Sequence, residues 1–133
     1  MALDKSEITQ KNKALVVDYY NKVVIEGNVD LIGNYVAKDY IQHSPFVPGG
    51  RDALAGLIAN VIHSPEVKKP FAEIVRVVAE GDLVLLHVHA FNWPDANGTA
   101  IVDMFRVEDG IIVEHWDVVQ PVPESSVNGN SMF

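Results

Sequence analysis

Hydrophobic and polar positions along this chain repeat first with a helical period and then with a strand period. Between about residues 7 and 26, Ile8, Leu15, Tyr19 and Val23 recur at helical spacing, and Val16, Tyr20 and Val24 widen the stripe. Asp4 or Ser6 can cap this helix, Glu7 suits its first turn, and Gly27 ends it. A short second helix is expected from about Val29 to Val36. A third is expected from about Arg51 to His63, with Leu54, Leu57, Ile58, Val61 and Ile62 as its apolar face and Pro65 barring its continuation. Tyr40 to Ser44 reads as a short extended segment closed by Pro45, followed by a turn-rich connection.

Beyond Lys69 the pattern becomes a strand meander. Lys69 to Ala79 begins it, and Glu80-Gly81-Asp82 turns it. Leu83 to Gln120 then reads as three consecutive antiparallel strands, joined at NWPDANG and at EDG, with Asp109-Gly110 the stronger hairpin signal. Strand side chains alternate faces. One row is Leu83, Leu85, His87, His89 and Phe91; the next is Ile101, Asp103, Phe105 and Val107; the last is Ile111, Val113, His115, Asp117 and Val119. If the three rows face the same way, a hydrophobic concavity contains His87, His89, Asp103, His115 and Asp117. Burying such groups is costly unless they are paired, which points to their being used.

Helices first and strands afterwards imply an α+β architecture, with about three helices packed on one face of an antiparallel sheet. The other strand faces are apolar too: Val84, Leu86, Val88 and Ala90, then Val102 and Met104, then Ile112, Trp116 and Val118. One set of helices cannot cover both faces, so a homodimer through the outer sheet face is expected. The alternative is cover by the N-terminal arm or the tail. The chain reads as a single domain over residues 1–133, with a tail from about residue 121.

Composition narrows the partners. At 133 residues and 48% hydrophobic, the chain can build one full core. It has no cysteine, which removes disulfides, thiolate metal sites and a cysteine nucleophile. Ten Lys and Arg against eighteen Asp and Glu leave a charge of −8, which argues against nucleic acid or an anionic membrane as partner. No apolar run approaches the roughly 20 residues that span a bilayer. The opening MALDKSEITQKNK lacks a signal-peptide core, so a cytoplasmic location is expected.

The segments Tyr40-Ile41-Gln42-His43-Ser44-Pro45, Val102-Asp103-Met104-Phe105-Arg106-Val107-Glu108-Asp109-Gly110 and Glu114-His115-Trp116-Asp117-Val118-Val119-Gln120, with the order helix–helix–short strand–helix–meander, resemble the nuclear-transport-factor-2-like (cystatin-like) fold. Within it the chain resembles the SnoaL-like polyketide cyclases and SnoaL-like aldol-condensation enzymes, and Asn130-Ser131-Met132-Phe133 also looks like the latter branch. The resemblance implies a curved antiparallel sheet wrapped around the helices as a cone, with a pocket inside. It implies Asp103 as general acid/base and His89 as its partner, with His87 where the cyclases carry a polar pocket residue. Steroid isomerases of the same fold also have an acid in the position of Asp103, and a carboxylate base in the short early strand, where this chain has His43. That departure argues against isomerase activity. Arg106 lies on the opposite strand face from Asp103, so the Asp–Arg–Asp arrangement of the epoxide-hydrolase relatives is not expected.

An aspartate in an apolar pocket should have its pKa raised by desolvation, and a nearby imidazolium would oppose the shift. Asp103 and His89, with His43, are therefore the expected catalytic groups. They suit removing a proton beside a carbonyl or delivering one to a developing alkoxide. His87, His115, Asp117, Tyr20, Phe46, Phe105 and Trp93 are the expected substrate-binding residues. No lysine lies in the pocket rows for a Schiff base, and there is no nucleophile elbow or phosphate-binding glycine pattern. His87 and His89, with His43 or His115, could hold a divalent ion, but the pattern is a weak signal and no metal is assigned. The function expected is a cofactor-independent acid–base enzyme acting on a small carbonyl compound. The alternative is a non-catalytic module of the same fold holding a small apolar ligand.

Overall fold

The computed structural model describes residues 2–133. Asp4 starts the first helix, α1 (Lys5–Tyr19), by accepting the Glu7 backbone N–H at 2.8 Å, while Glu7 accepts the Asp4 N–H at 3.1 Å. This reciprocal box satisfies two donors that the helix start would otherwise leave unpaired. The helix continues through a π turn, Tyr20–Ile25, and the chain then turns at Gly27. Val16, Tyr19, Tyr20, Val23 and Val24 form its buried stripe, as their spacing requires. Buried Asn12 donates to the Gly81 carbonyl at 3.1 Å and so pins the helix to the turn beneath it.

The stretch expected as a second helix is a 3₁₀ turn, Val29–Asn34, and Val36 already belongs to the first strand, β1 (Val36–Gln42). Six residues that include Gly33 are too short to hold α-helical geometry. The third expected helix is α2 (Arg51–Leu57), which runs on as a π turn, Ile58–Ile62, and ends at His63. The His63 ring donates through Nε2 to the Val24 carbonyl at 2.7 Å. Gly27, at φ +83°, sits against that ring; a Cβ there would lie 2.8 Å from Nδ1. Glycine is what lets the two helix ends approach this closely.

Four more strands follow: β2 (Ala72–Glu80), β3 (Leu83–Ala90), β4 (Thr99–Glu108) and β5 (Ile111–Pro121). They form a five-stranded sheet in the order β1-β5-β4-β3-β2. The meander is antiparallel, but β1 joins β5 in parallel, so the sheet is mixed rather than wholly antiparallel. Helices on one face of this sheet give the α+β architecture that the element order implied and the cone that the resemblance implied. Among the described residues no helix is long and apolar enough to cross a membrane.

Two rows differ from expectation. Leu86 pairs with Asp103 and His87 with Val102 across β3 and β4. Val84, Leu86, Val88 and Ala90 therefore face the helices, and Leu83, Leu85, His87 and His89 face outward. A shift of one residue in register exchanges the faces of a whole strand, and the connection from Phe91 to Gly98 sets that register. On β5, the pairing skips Val113 between Arg106–Glu114 and Val107–Ile112, so Ile112 turns inward instead of Ile111 and Val113. His115, Asp117 and Val119 keep the inward face.

The tail returns over the outer face: the Phe133 ring stacks on His89 with centroids 3.8 Å apart and lies 5.7 Å from His87. Leu86→Ala, at a site with no solvent exposure, should destabilise the fold by about 2–5 kcal/mol. Leu85→Ala, one residue along and outward, should cost less than half as much in the same urea titration. Equal losses would contradict the face assignment.

Candidate functional site

The helices and the inner sheet face enclose a cavity of about 590 Å³, within the range of roughly 300–1,000 Å³ usual for small-molecule sites. Val24, Leu54, Ile58, Val61, Phe71 and Val119 are among its apolar walls. Phe46 and Trp93, 73% and 48% exposed, stand at its rim. One side is polar: Tyr20, Tyr40, Gln42, Ser44, Asp103, His115 and Asp117.

Asp103 is 6% exposed and is paired, though not with His89: His115 Nε2 lies 2.8 Å from its Oδ1. The β4–β5 register places Phe105 opposite His115 and Asp103 opposite Asp117, which brings the imidazole and both carboxyls to one spot. Phe105 packs its ring 4.9 Å from that of His115 and edge-on to Tyr19 at 5.9 Å. Behind the imidazole, Gln42 Oε1 lies 2.7 Å from His115 Nδ1 and accepts the Ser44 backbone N–H at 2.9 Å. Gln42 donates its own Nε2 to the Tyr40 hydroxyl at 2.8 Å.

These contacts fix a protonation pattern. A backbone N–H can only donate, so the Gln42 atom that receives it is the oxygen. That oxygen also faces His115 Nδ1, so Nδ1 carries the hydrogen. One proton then remains for the contact between Nε2 and Asp103. The pair is either carboxylate with imidazolium or carboxylic acid with neutral imidazole. Either form can exchange a proton with a third group.

Asp117 is raised above the ordinary aspartate value, first by burial and further by the charge of Asp103, while the Ser44 hydroxyl and His115 oppose the shift. Tyr20 is pushed well above the ordinary tyrosine range, first by burial and then by Asp103. Its phenol therefore stays protonated beside that carboxyl. The Ser44 hydroxyl is buried, close enough to Asp117 to influence it, yet has no well-formed hydrogen bond among the described residues.

Three expected site residues lie elsewhere. His87 and His89 are on the outer face, His87 against Arg76 and His89 beneath Phe133. His43 also points outward, with Nε2 2.7 Å from Glu114 and its ring stacked on Trp116 at 4.9 Å. The inward side of that segment belongs to Tyr40, Gln42 and Ser44, which share a parity that His43 lacks. Arg106 is outward as expected, bonded to Glu114 at 2.8 Å. Of the histidines considered for a metal, His115 alone faces the cavity; His87 and His89 lie outward on β3, and His43 lies outward against Glu114 and Trp116 of β5. Asp103, His115 and Asp117 instead present donor atoms within 4.8 Å of one another and could hold a cation.

Residues 16–115 match the SnoaL-like domain family. Among curated proteins none matches the chain. An NTF-2-like protein of unknown function from Burkholderia xenovorans superposes with a TM-score of 0.71 at 18% identity, over 90% of this chain and 91% of its own. A candidate polyketide cyclase from Acidithiobacillus ferrooxidans gives 0.67 at 18%, over 85% and 90%. An LEH-like epoxide hydrolase from M. tuberculosis gives 0.63 at 18%, over 84% of each chain. At that identity these structures establish a shared fold.

A carboxyl whose folded pKa lies above its unfolded value supports folding at low pH, and that support is lost as pH rises through the folded value. Asp117 is raised, so Asp117→Asn should melt higher than the parent protein at pH 7. The difference should close as pH falls toward 3.8, the ordinary aspartate value. Thermal melts across that range test this; a gap that widens on acidification would contradict it.

Proposed function

The chain belongs to the SnoaL-like domain family, and from that premise we propose that it is a cofactor-independent acid–base enzyme acting on a small carbonyl compound, by cyclase or aldol-type chemistry. The observation that carries this reading is the buried Asp103–His115 pair at 2.8 Å, set in the wall of a largely apolar cavity. Asp103 is the proposed base and acid, and His115 its partner. Gln42 is a positioning residue that holds Nδ1–H and so aims Nε2 at Asp103. Tyr20, Phe105, Phe46, Trp93 and Asp117 are the proposed substrate contacts.

The proposed chemistry uses this geometry. A proton leaves the carbon beside the carbonyl for the pair, and the resulting enolate attacks a second carbonyl of the same folded molecule. The pair then returns the proton to the new alkoxide. Such a closure needs one group that both takes and gives a proton, and walls that hold the chain bent. The likeness in fold to a candidate cyclase and to an epoxide hydrolase supports a catalytic reading without naming the substrate.

Deuterium uptake at the activated carbon of 2-tetralone, followed by NMR in D₂O, tests the reading with a probe ketone. The protein should accelerate uptake, and Asp103→Asn should lower the catalysed rate by about 10²–10⁴-fold. Saturable binding without any acceleration would instead support a non-catalytic ligand-binding module.

A homodimer through the outer sheet face belongs to the same proposal. Phe133 covers only part of that face, and Val78 and Val118 are each 61% exposed. Light scattering coupled to gel filtration should give twice the 14.6 kDa chain mass, reduced toward one mass by Val118→Asp with Val78→Asp. A monomeric parent protein would refute this part.

A further inference from the structure

We propose that Ser44 Oγ and the Asp117 carboxyl together form an oxyanion subsite, which takes the carbonyl oxygen of the bound compound while the Asp103–His115 pair works on the adjacent carbon. This rests on the acid–base reading above. The starting observation is Ser44, which is 4% exposed, lines the cavity and leaves its hydroxyl without a well-formed hydrogen bond among the described residues. A buried hydroxyl without a well-formed partner costs about 1–3 kcal/mol; the Asp117 carboxyl is near enough to feel this one but does not meet it in good geometry, and a ligand oxygen in the cavity would. The hydroxyl is also held in place. Its residue's backbone N–H is bound to Gln42 Oε1 at 2.9 Å, and its carbonyl accepts the Val47 N–H at 3.3 Å.

In its protonated form Asp117 supplies the second donor. It lies across β4–β5 from Asp103, within reach of Ser44, and burial favours its protonated form. A protonated carboxyl donates one hydrogen bond where a carboxylate donates none. Gln42 links the two halves of the site. The same amide oxygen that orients His115 also binds the backbone of Ser44, so base and oxyanion donors are set from one atom.

The step balances within these residues. The carbon–hydrogen bond breaks, its proton passes to the Asp103–His115 pair, and its electrons form the new carbon–carbon double bond. The carbonyl π pair moves onto oxygen. There Ser44 donates a hydrogen bond and Asp117 donates its own or passes its proton across, leaving an enol and a carboxylate. The reverse transfer restores the site. Donors aimed at an oxygen as charge develops on it stabilise the transition state more than the ground state.

Isotope-edited infrared spectroscopy of 2-tetralone carrying ¹³C at the carbonyl tests the subsite without relying on turnover. The bound carbonyl stretch should fall below its value in hexane. Ser44→Ala and Asp117→Leu should each move it part of the way back, whereas Asp103→Asn, which keeps both donors but removes a charge beside Asp117, should move it less than either while lowering deuterium uptake by about 10²–10⁴-fold. Ser44→Ala should also slow uptake by about 10²-fold. An unshifted band in the parent protein, no bound ketone at millimolar concentration, or a band that neither Ser44→Ala nor Asp117→Leu moves would overturn the subsite. A band that responds to both variants in a protein that never accelerates uptake would uphold the subsite and refute the acid–base reading instead.

Discussion

The offset between neighbouring strands decides which chemistry this cavity holds. Asp103 opposite Asp117, and Phe105 opposite His115, follow from the tight hairpin at Asp109-Gly110 together with the bulge that skips Val113. Were β5 displaced by one residue, Glu114, Trp116 and Val118 would line the cavity, and the imidazole would face outward. The apolar core protects this register: such a slip would also expose residues such as Val119 and bury Glu114, and burying an unpaired charge costs several kcal/mol. The packing that stabilises the fold therefore also holds the polar cluster in place.

Within that frame one neutral side chain does the orienting. Gln42 sits on β1, the single strand that joins the sheet in parallel, and its amide reaches across to His115 on β5. A carboxylate there could also hold Nδ1–H, but it would add a third acidic group beside Asp103 and Asp117 and favour the imidazolium. An amide fixes the tautomer without changing the local charge. The parallel edge strand, a departure from the simple meander, is thus what completes the site.

Much of the architecture was legible because it rests on local signals. The capping acid at Asp4, the stripe through Val16, Tyr20 and Val24, the Asp109-Gly110 turn and the inward row of Asp103 and Phe105 all depend on short-range spacing. The error on β3 was of another kind. Val84, Leu86 and Val88 and the row through His87 and His89 are both largely apolar, so composition could not say which faces the helices; only the path of the chain from Phe91 to Gly98 does. His43 was misplaced although the signal was present. Tyr40, Gln42 and Ser44 alternate with Ile41 and His43, and a row of three polar hydrogen-bonding groups was the better candidate for the inner face. The π turns left no trace in the pattern.

Gly27 and His63 show how the helical half of the cavity is tied together. The first helix ends, and the second helix ends, at one contact: an imidazole laid flat against a residue without a side chain, its nitrogen on the Val24 carbonyl. Val24 and Ile62, which flank this junction in the chain, both line the cavity. The two positions therefore form a lock whose parts are not independently replaceable. A methyl at 27 would evict the ring, and a smaller residue at 63 would leave the carbonyl bare and the groove empty. Drift at either place should reach the ligand chamber through the backbone, without altering any group that touches its contents.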